Sequence, residues 1–158
     1  MTITSHGAIL LQFVPIPKDI AASAREEMRD RFSHSLTVTQ ASAPCRSCLR
    51  ISKVPEDLIL LSYRPLADKN PYAEIGPVFI HAHSCEAYSK RHIFPEDFLP
   101  RSLLVRAYDA NGAIVDAALA GPGDAQRCAV AFLEDAKVQE IHVRSATYGC
   151  YFFRVIRA

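Results

Sequence analysis

The chain has no block of like charge. Its 18 lysine and arginine residues stand against 17 aspartate and glutamate residues, for a formal net charge of +1 over 158 residues, and the basic positions are scattered. Such a surface gathers no phosphate backbone at long range, so nucleic acid is not an expected partner. A long apolar stretch is also missing. The run Ala8 to Val14 is short, with no basic segment before it and no small-residue cleavage site after it. It reads as neither signal peptide nor membrane span, and no membrane partner is expected. Internal repeats and low-complexity tracts are absent, and apolar residues (49%) and charged residues (22%) hold the ordinary globular balance. One domain over residues 1–158 follows from that length and composition.

Several enzyme signatures are wanting. There is no Gly-x-Ser-x-Gly elbow and no His-Glu-x-x-His helix, and Gly121-Pro122-Gly123 lacks the lysine and the preceding βαβ unit of a phosphate loop. The five cysteines are an odd number, so a fully paired disulfide framework cannot use them all, and a reducing cytoplasm suits them best.

What is present reads as an α+β domain: a mostly antiparallel sheet of about seven strands built from hairpins, with two principal helices. Ala8 to Val14 is a buried strand ended by Pro15 and Pro17, whose rings remove amide donors. From Lys18 to Phe32 the apolar positions Ile20, Ala24, Met28 and Phe32 recur every four residues, which predicts an amphipathic helix. Leu36 to Thr39 and Leu58 to Tyr63 predict strands, the second covered on both faces. Asp68, Asn70, Pro71, Gly76 and Pro77 mark Ala67 to Pro77 as a loop feeding the strand Val78 to His83. Leu103 to Tyr108 and Ala113 to Ala118 flank Asn111-Gly112 as a hairpin. Asp124 caps a helix running to about Ala136, with Cys128 and Phe132 on its buried face. Val138 to Arg144 and Cys150 to Ile156 pair as a closing hairpin.

Two patterns could carry chemistry. Cys45-Arg46-Ser47-Cys48 sets two thiols at a spacing that closes on one metal ion or on each other. It is half a zinc site, since no second Cys-x-x-Cys and no spaced histidine pair completes it. As a redox dithiol it would need a helix opening at the motif, whereas Leu49, Arg50 and Ile51 alternate as a strand does. In His81-Ala82-His83-Ser84-Cys85 a period of two places His81, His83 and Cys85 on one face. Ser84 could instead cap a short helical turn through Tyr88, which would take Cys85 out of that register. The candidate metal ligands are therefore Cys45, Cys48, His81, His83, Cys85 and His142, with zinc the ion that thiolate and imidazole suit. Each also has a plainer reading: free cysteine is commonly buried, and His142 shares a predicted strand face with Glu140 and Arg144 that solvent could cover. Glu74 and Glu86 flank the histidine strand as candidate general bases or as surface carboxylates.

For anions, Arg64, Arg106, Arg144 and Arg154 fall in or beside predicted strands, where guanidinium groups on one sheet face could bind carboxylate or phosphate. The Cys45-Arg46-Ser47-Cys48-Leu49 segment, Pro71-Tyr72-Ala73-Glu74-Ile75-Gly76-Pro77, the His81 strand and Val105-Arg106-Ala107-Tyr108-Asp109 together resemble domain-of-unknown-function family 1203. The resemblance runs from about Cys45 to the C-terminus. It implies a small bacterial cytoplasmic protein and carries no activity, cofactor or catalytic residue. Three readings follow: a domain binding a small polar or anionic ligand through Arg106, Arg144 and Arg64; a zinc protein, with or without catalysis; and a thiol redox protein using Cys45 and Cys48. A homodimer through an exposed edge strand is compatible with the sequence, and nothing in it calls for one.

Overall fold

A computed structural model describes residues 7–67 and 70–158; Asp68, expected in the loop before the histidine strand, lies outside them. Among the described residues eight strands form two antiparallel sheets, and two α-helices cover them, an α+β fold. The larger sheet contains β1 (Leu11–Val14), β5 (Leu103–Asp109), β6 (Ile114–Ala120), β7 (Val138–Ser145) and β8 (Tyr151–Arg157), in the order β1-β8-β7-β5-β6. The smaller is β2 (Val38–Ala41), β3 (Glu56–Tyr63) and β4 (Gly76–His81), in that order. Helix α1 (Lys18–Glu27) lies over the smaller sheet and α2 (Ala125–Leu133) over the larger.

The two hairpins read from the sequence are present, β5–β6 and β7–β8. Gly112 takes φ +77° in the first, the left-handed conformation for which Asn-Gly is suited, while Asp109 Oδ1 accepts from the amides of Asn111 and Ala113 at 2.8 and 3.0 Å. Alternation then decides the layers. Leu103, Val105 and Ala107 point from β5 into the main core with Ile141, Val143, Phe153 and Val155, under Ala125, Ala129 and Leu133 of α2. Phe13, Phe94, Phe98 and Phe153 meet edge to face there, with ring centroids 5.3 to 6.2 Å apart.

Several expectations change. Helix α1 stops at Glu27, short of Phe32, because Met28 adopts a left-handed cap (φ 47°) and the Asp30 carboxylate takes the amides of Phe32 and His34 out of helical register. Asp124 stands before α2 without capping it; its carboxylate pairs with Arg127 at 2.8 Å. The face α2 buries runs through Ala125, Ala129 and Leu133, leaving Cys128 and Phe132 at its margin. Leu60 is exposed on β3, so that strand is covered fully on one face only.

The opposite face of the larger sheet is polar and still enclosed. His142 sits there fully buried and not solvated, its ring 4.4 Å from that of Tyr108 and 5.2 Å from that of Tyr151. Tyr151 reaches Tyr63 of the smaller sheet at 5.5 Å, so aromatic rings join the two sheets across this face.

Candidate metal centre

Four of the expected ligands converge. Cys45, Cys48, His81 and Cys85 each offer one donor atom, and these atoms all lie within 4.8 Å of one another. Cys45 lies on the open side of β4, in a parallel bridge with Phe79, and the Arg46 amide donates to the Phe79 carbonyl at 2.9 Å. The chain turns at once: Pro44 bridges Ile51, the Cys45 amide donates to the Arg50 carbonyl, and the Leu49 amide returns to the Cys45 carbonyl at 2.9 Å. Leu49 closes that turn with φ +57°, although it is a buried, branched residue. The Arg46 side chain anchors the turn to the larger sheet, donating to the carbonyls of Tyr151 (2.7 Å) and Pro44 (2.6 Å) and lying 5.1 Å from the Phe152 ring centroid. Burial lowers its pKa to about 10, so it stays a cation at neutral pH.

His81 is the last residue of β4 and Cys85 follows in an irregular segment, neither strand nor helical turn. Cys85 therefore reaches the site by the path of the chain and not by strand alternation. Its Sγ lies 3.8 Å from Cys45 Sγ, and Cys48 Sγ lies 3.5 Å from His81 Nδ1. A tetrahedral zinc ion, bound to sulfur at about 2.3 Å and to nitrogen at about 2.0 Å, spaces two sulfurs by about 3.8 Å and a sulfur and nitrogen by about 3.5 Å. These two donor pairs thus stand at the separations that one ion requires.

The surroundings match that chemistry. Glu56 Oε2 holds His81 Nε2 at 2.6 Å, leaving Nδ1 directed at the thiols, the carboxylate–histidine arrangement common at zinc sites. Arg25 of α1 donates to the His81 carbonyl at 2.9 Å and to Cys85 Sγ at 3.4 Å, and the His81 amide donates to Cys45 Sγ at 3.3 Å. Three thiolates with a divalent cation carry one net negative charge, which the Arg25 guanidinium offsets. With the protein's own groups alone, only one thiolate is favoured. Donation from Cys45 and Cys48 pulls the Cys85 thiol far down, while Cys48 is pushed far up by Cys45, Cys85 and burial. Neither Cys45 nor Cys48 stands at a helix N-terminus, the setting a thioredoxin-like dithiol needs. All five cysteines are free.

His83 and His142 do not join the four. β4 ends at His81, and the exposed His83 ring turns to Asp57 Oδ2 at 3.5 Å. His142 lies on the larger sheet, its Nε2 2.7 Å from Glu140 Oε1. Glu86 lines a cleft of about 340 Å³ beside Cys48, His81 and Cys85, together with Arg50, Glu96 and Asp97. Glu74 is elsewhere, its carboxylate shared by Arg106 (3.0 Å) and Arg144 (3.5 Å). Arg154 pairs with Glu140 at 3.5 Å, and Arg64 lines a separate cleft with Arg29, Arg31 and Phe32. Glu56 and Arg25 escape the sequence reading because each looks like an ordinary surface charge, on a strand and on a helix; only the pairing of β3 with β4 and the docking of α1 bring them to the site.

No helix among the described residues is long and apolar enough to cross a membrane. Comparison with curated proteins and with solved structures gives no match. The family model described as "Protein of unknown function (DUF1203)" matches residues 42–157, a span that contains all four converging donors together with Arg106 and Arg144. That span is most of the chain, and the protein belongs to this family of unknown function.

Proposed function

We propose that this is a zinc-binding bacterial cytoplasmic protein in which Cys45, Cys48, Cys85 and His81 hold one ion. The observation that carries the reading is the pair of donor separations, 3.8 Å between two sulfurs and 3.5 Å between sulfur and nitrogen, within a set already confined to 4.8 Å. Thiolate and imidazole together select zinc over the hard cations, which take oxygen. Four protein donors fill the tetrahedron, which gives the ion a structural role: it ties the 45–48 turn, the end of β4 and the segment through Cys85 into one unit. Five unpaired cysteines suit the reducing compartment in which such a site keeps its thiolates.

The test is elemental analysis of the purified, untagged protein, repeated after reduction and loading with zinc. About one zinc per chain is expected, lost in His81→Ala and in Cys85→Ser and kept in His83→Ala. Absence of stoichiometric zinc after loading, or unchanged zinc in the first two variants, overturns the reading.

A further inference from the structure

The polar face of the larger sheet holds a second constellation, independent of the cysteines. Arg106 on β5 stands opposite His142 on β7, and Arg144 lies two residues further along that strand, on the same face. Both guanidinium groups point to one carboxylate: Arg106 Nη1 meets Glu74 Oε1 at 3.0 Å and Arg144 Nη1 meets Glu74 Oε2 at 3.5 Å. Glu140, the other acid on this face among the described residues, is already engaged by His142 (2.7 Å) and Arg154 (3.5 Å). Two cations therefore share one anion in a largely buried place, the Arg144 side chain being 7% exposed and that of Arg106 20%. Among the described residues, one positive charge is left without a counter-charge.

Arg144 is also short of hydrogen-bond partners. Its Nη1 donates to the Gly149 carbonyl at 3.0 Å, while its buried Nε has no partner among the described residues. The guanidinium is held in place by Nη1 and the nearby Tyr151 ring (5.9 Å), with Nε enclosed and unpartnered. Leaving such a donor buried and unmatched is costly, which marks Arg144 as incompletely satisfied.

The place where Arg144 sits has room for an acceptor. A cleft of about 170 Å³ is lined by Arg144 and Glu74 together with Tyr63, Pro65, Tyr148 and Tyr151, and Arg106 meets it through the Glu74 carboxylate at 3.0 Å. It falls below the roughly 300 Å³ at which pockets for drug-sized molecules begin, which excludes nucleotides and favours a small acid with a flat or apolar body. Glu74 itself belongs to the loop preceding β4 and is half exposed, so its carboxylate can leave without disturbing the core.

We propose that Arg144 and Arg106 bind the carboxylate of a small organic acid whose body lies among Tyr63, Tyr148 and Tyr151, and that Glu74 is the chain's own competitor for that site. The carboxylate of Glu74 shows the geometry the pair accepts, and an incoming carboxylate takes its place on the two Nη1 groups. The site makes no use of the metal centre, so it stands or falls separately from the zinc reading.

The experiment is a titration of the isotope-labelled full chain, as purified, with benzoate, followed by NMR at the Tyr148–Tyr151 amides and arginine side chains. Benzamide serves as the uncharged isostere and inorganic phosphate as the alternative anion. Benzoate is expected to bind, benzamide not. Glu74→Gln, at a half-exposed position, removes the competitor and should tighten benzoate at least tenfold; Arg106→Lys, which keeps the charge and gives up the fork, should weaken it at least tenfold. No response to benzoate up to about 10 mM in both the parent and Glu74→Gln overturns the site. Equal binding by benzamide, or binding of phosphate without benzoate, overturns the carboxylate assignment. An unchanged affinity in Glu74→Gln removes the competitor role.

Discussion

Glu56 Oε2 meets His81 Nε2 at 2.6 Å, on the side of the ring away from the thiols, while Nδ1 stands 3.5 Å from Cys48 Sγ. One contact thereby selects the tautomer, aims the ring and raises its basicity toward the nitrogen's intended partner. Substituting Glu56 with Gln keeps a hydrogen-bonding side chain and loses the charge. Zinc should remain, with affinity lowered about 10- to 100-fold in competition with a chromophoric chelator. An unchanged affinity would show the carboxylate to be incidental.

Removing the metal should cost the whole domain and not the site alone. Structural zinc in small peptides binds with about 10–16 kcal/mol at pH 7, comparable to the roughly 5–15 kcal/mol that separates a folded domain from its unfolded chain. A strong chelator under reducing conditions is expected to lower the thermal midpoint markedly, and added zinc to restore it. Identical midpoints with and without chelator would rule out a stabilising ion.

Leu49 sets two effects against each other. Its φ of +57° carries a strain of roughly 1–2 kcal/mol that glycine would relieve, but the side chain is buried in the main core, where truncating leucine costs roughly 2–5 kcal/mol. Burial is the larger effect. Leu49→Gly should therefore destabilise by about 1–3 kcal/mol in denaturant unfolding of the zinc-loaded protein; a stabilised variant would show that strain dominates.

Asp30 is the buried carboxylate that ends α1. Burial opposes its charge, but the amides of Ser62 and His34, the His34 imidazole and the Phe32 amide outweigh that and hold its pKa at about 2 against an ordinary 3.8. A depressed folded value means the contribution is complete above pH 3.8 and is lost as pH falls toward 2. Asp30→Ala orphans those amides and should cost roughly 1–3 kcal/mol at neutral pH. The parent protein's stability should approach the variant's as pH drops through that window, and parallel curves would contradict this.

His142 has the opposite chemistry. Burial pushes its imidazole below the ordinary 6.5, against the pull of the adjacent Glu140, so the folded protein holds it neutral. The unfolded chain takes up that proton first, and the stabilisation present above pH 6.5 is lost as pH falls below it. His142→Gln should flatten the dependence of stability on pH between about 7 and 5 relative to the parent. Equal slopes would mean that other groups govern the acid limb.

Much of the fold was legible in the chain. Alternation and Asn-Gly punctuation are local signals, and they located the β5–β6 and β7–β8 hairpins to within one or two residues at each end. The end of α1 was not, because the residue that stops it, Asp30, does so partly through the Ser62 amide on a strand far along the chain. The metal centre was half legible: cysteine spacing and the His81 segment named the four donors, together with His83 and His142, which lie apart from them.

By itself, then, the sequence determined the donors' chemistry and the alternating faces of the strands. Tertiary structure decided which donors meet, that Glu56 and Arg25 attend them, and that Arg106 and Arg144 share Glu74. The physical reason is range. Residue type and periodicity act over a few positions, whereas a site closed by residues 25, 45, 56 and 85 depends on strand register and on how a helix docks, which are properties of the packed chain.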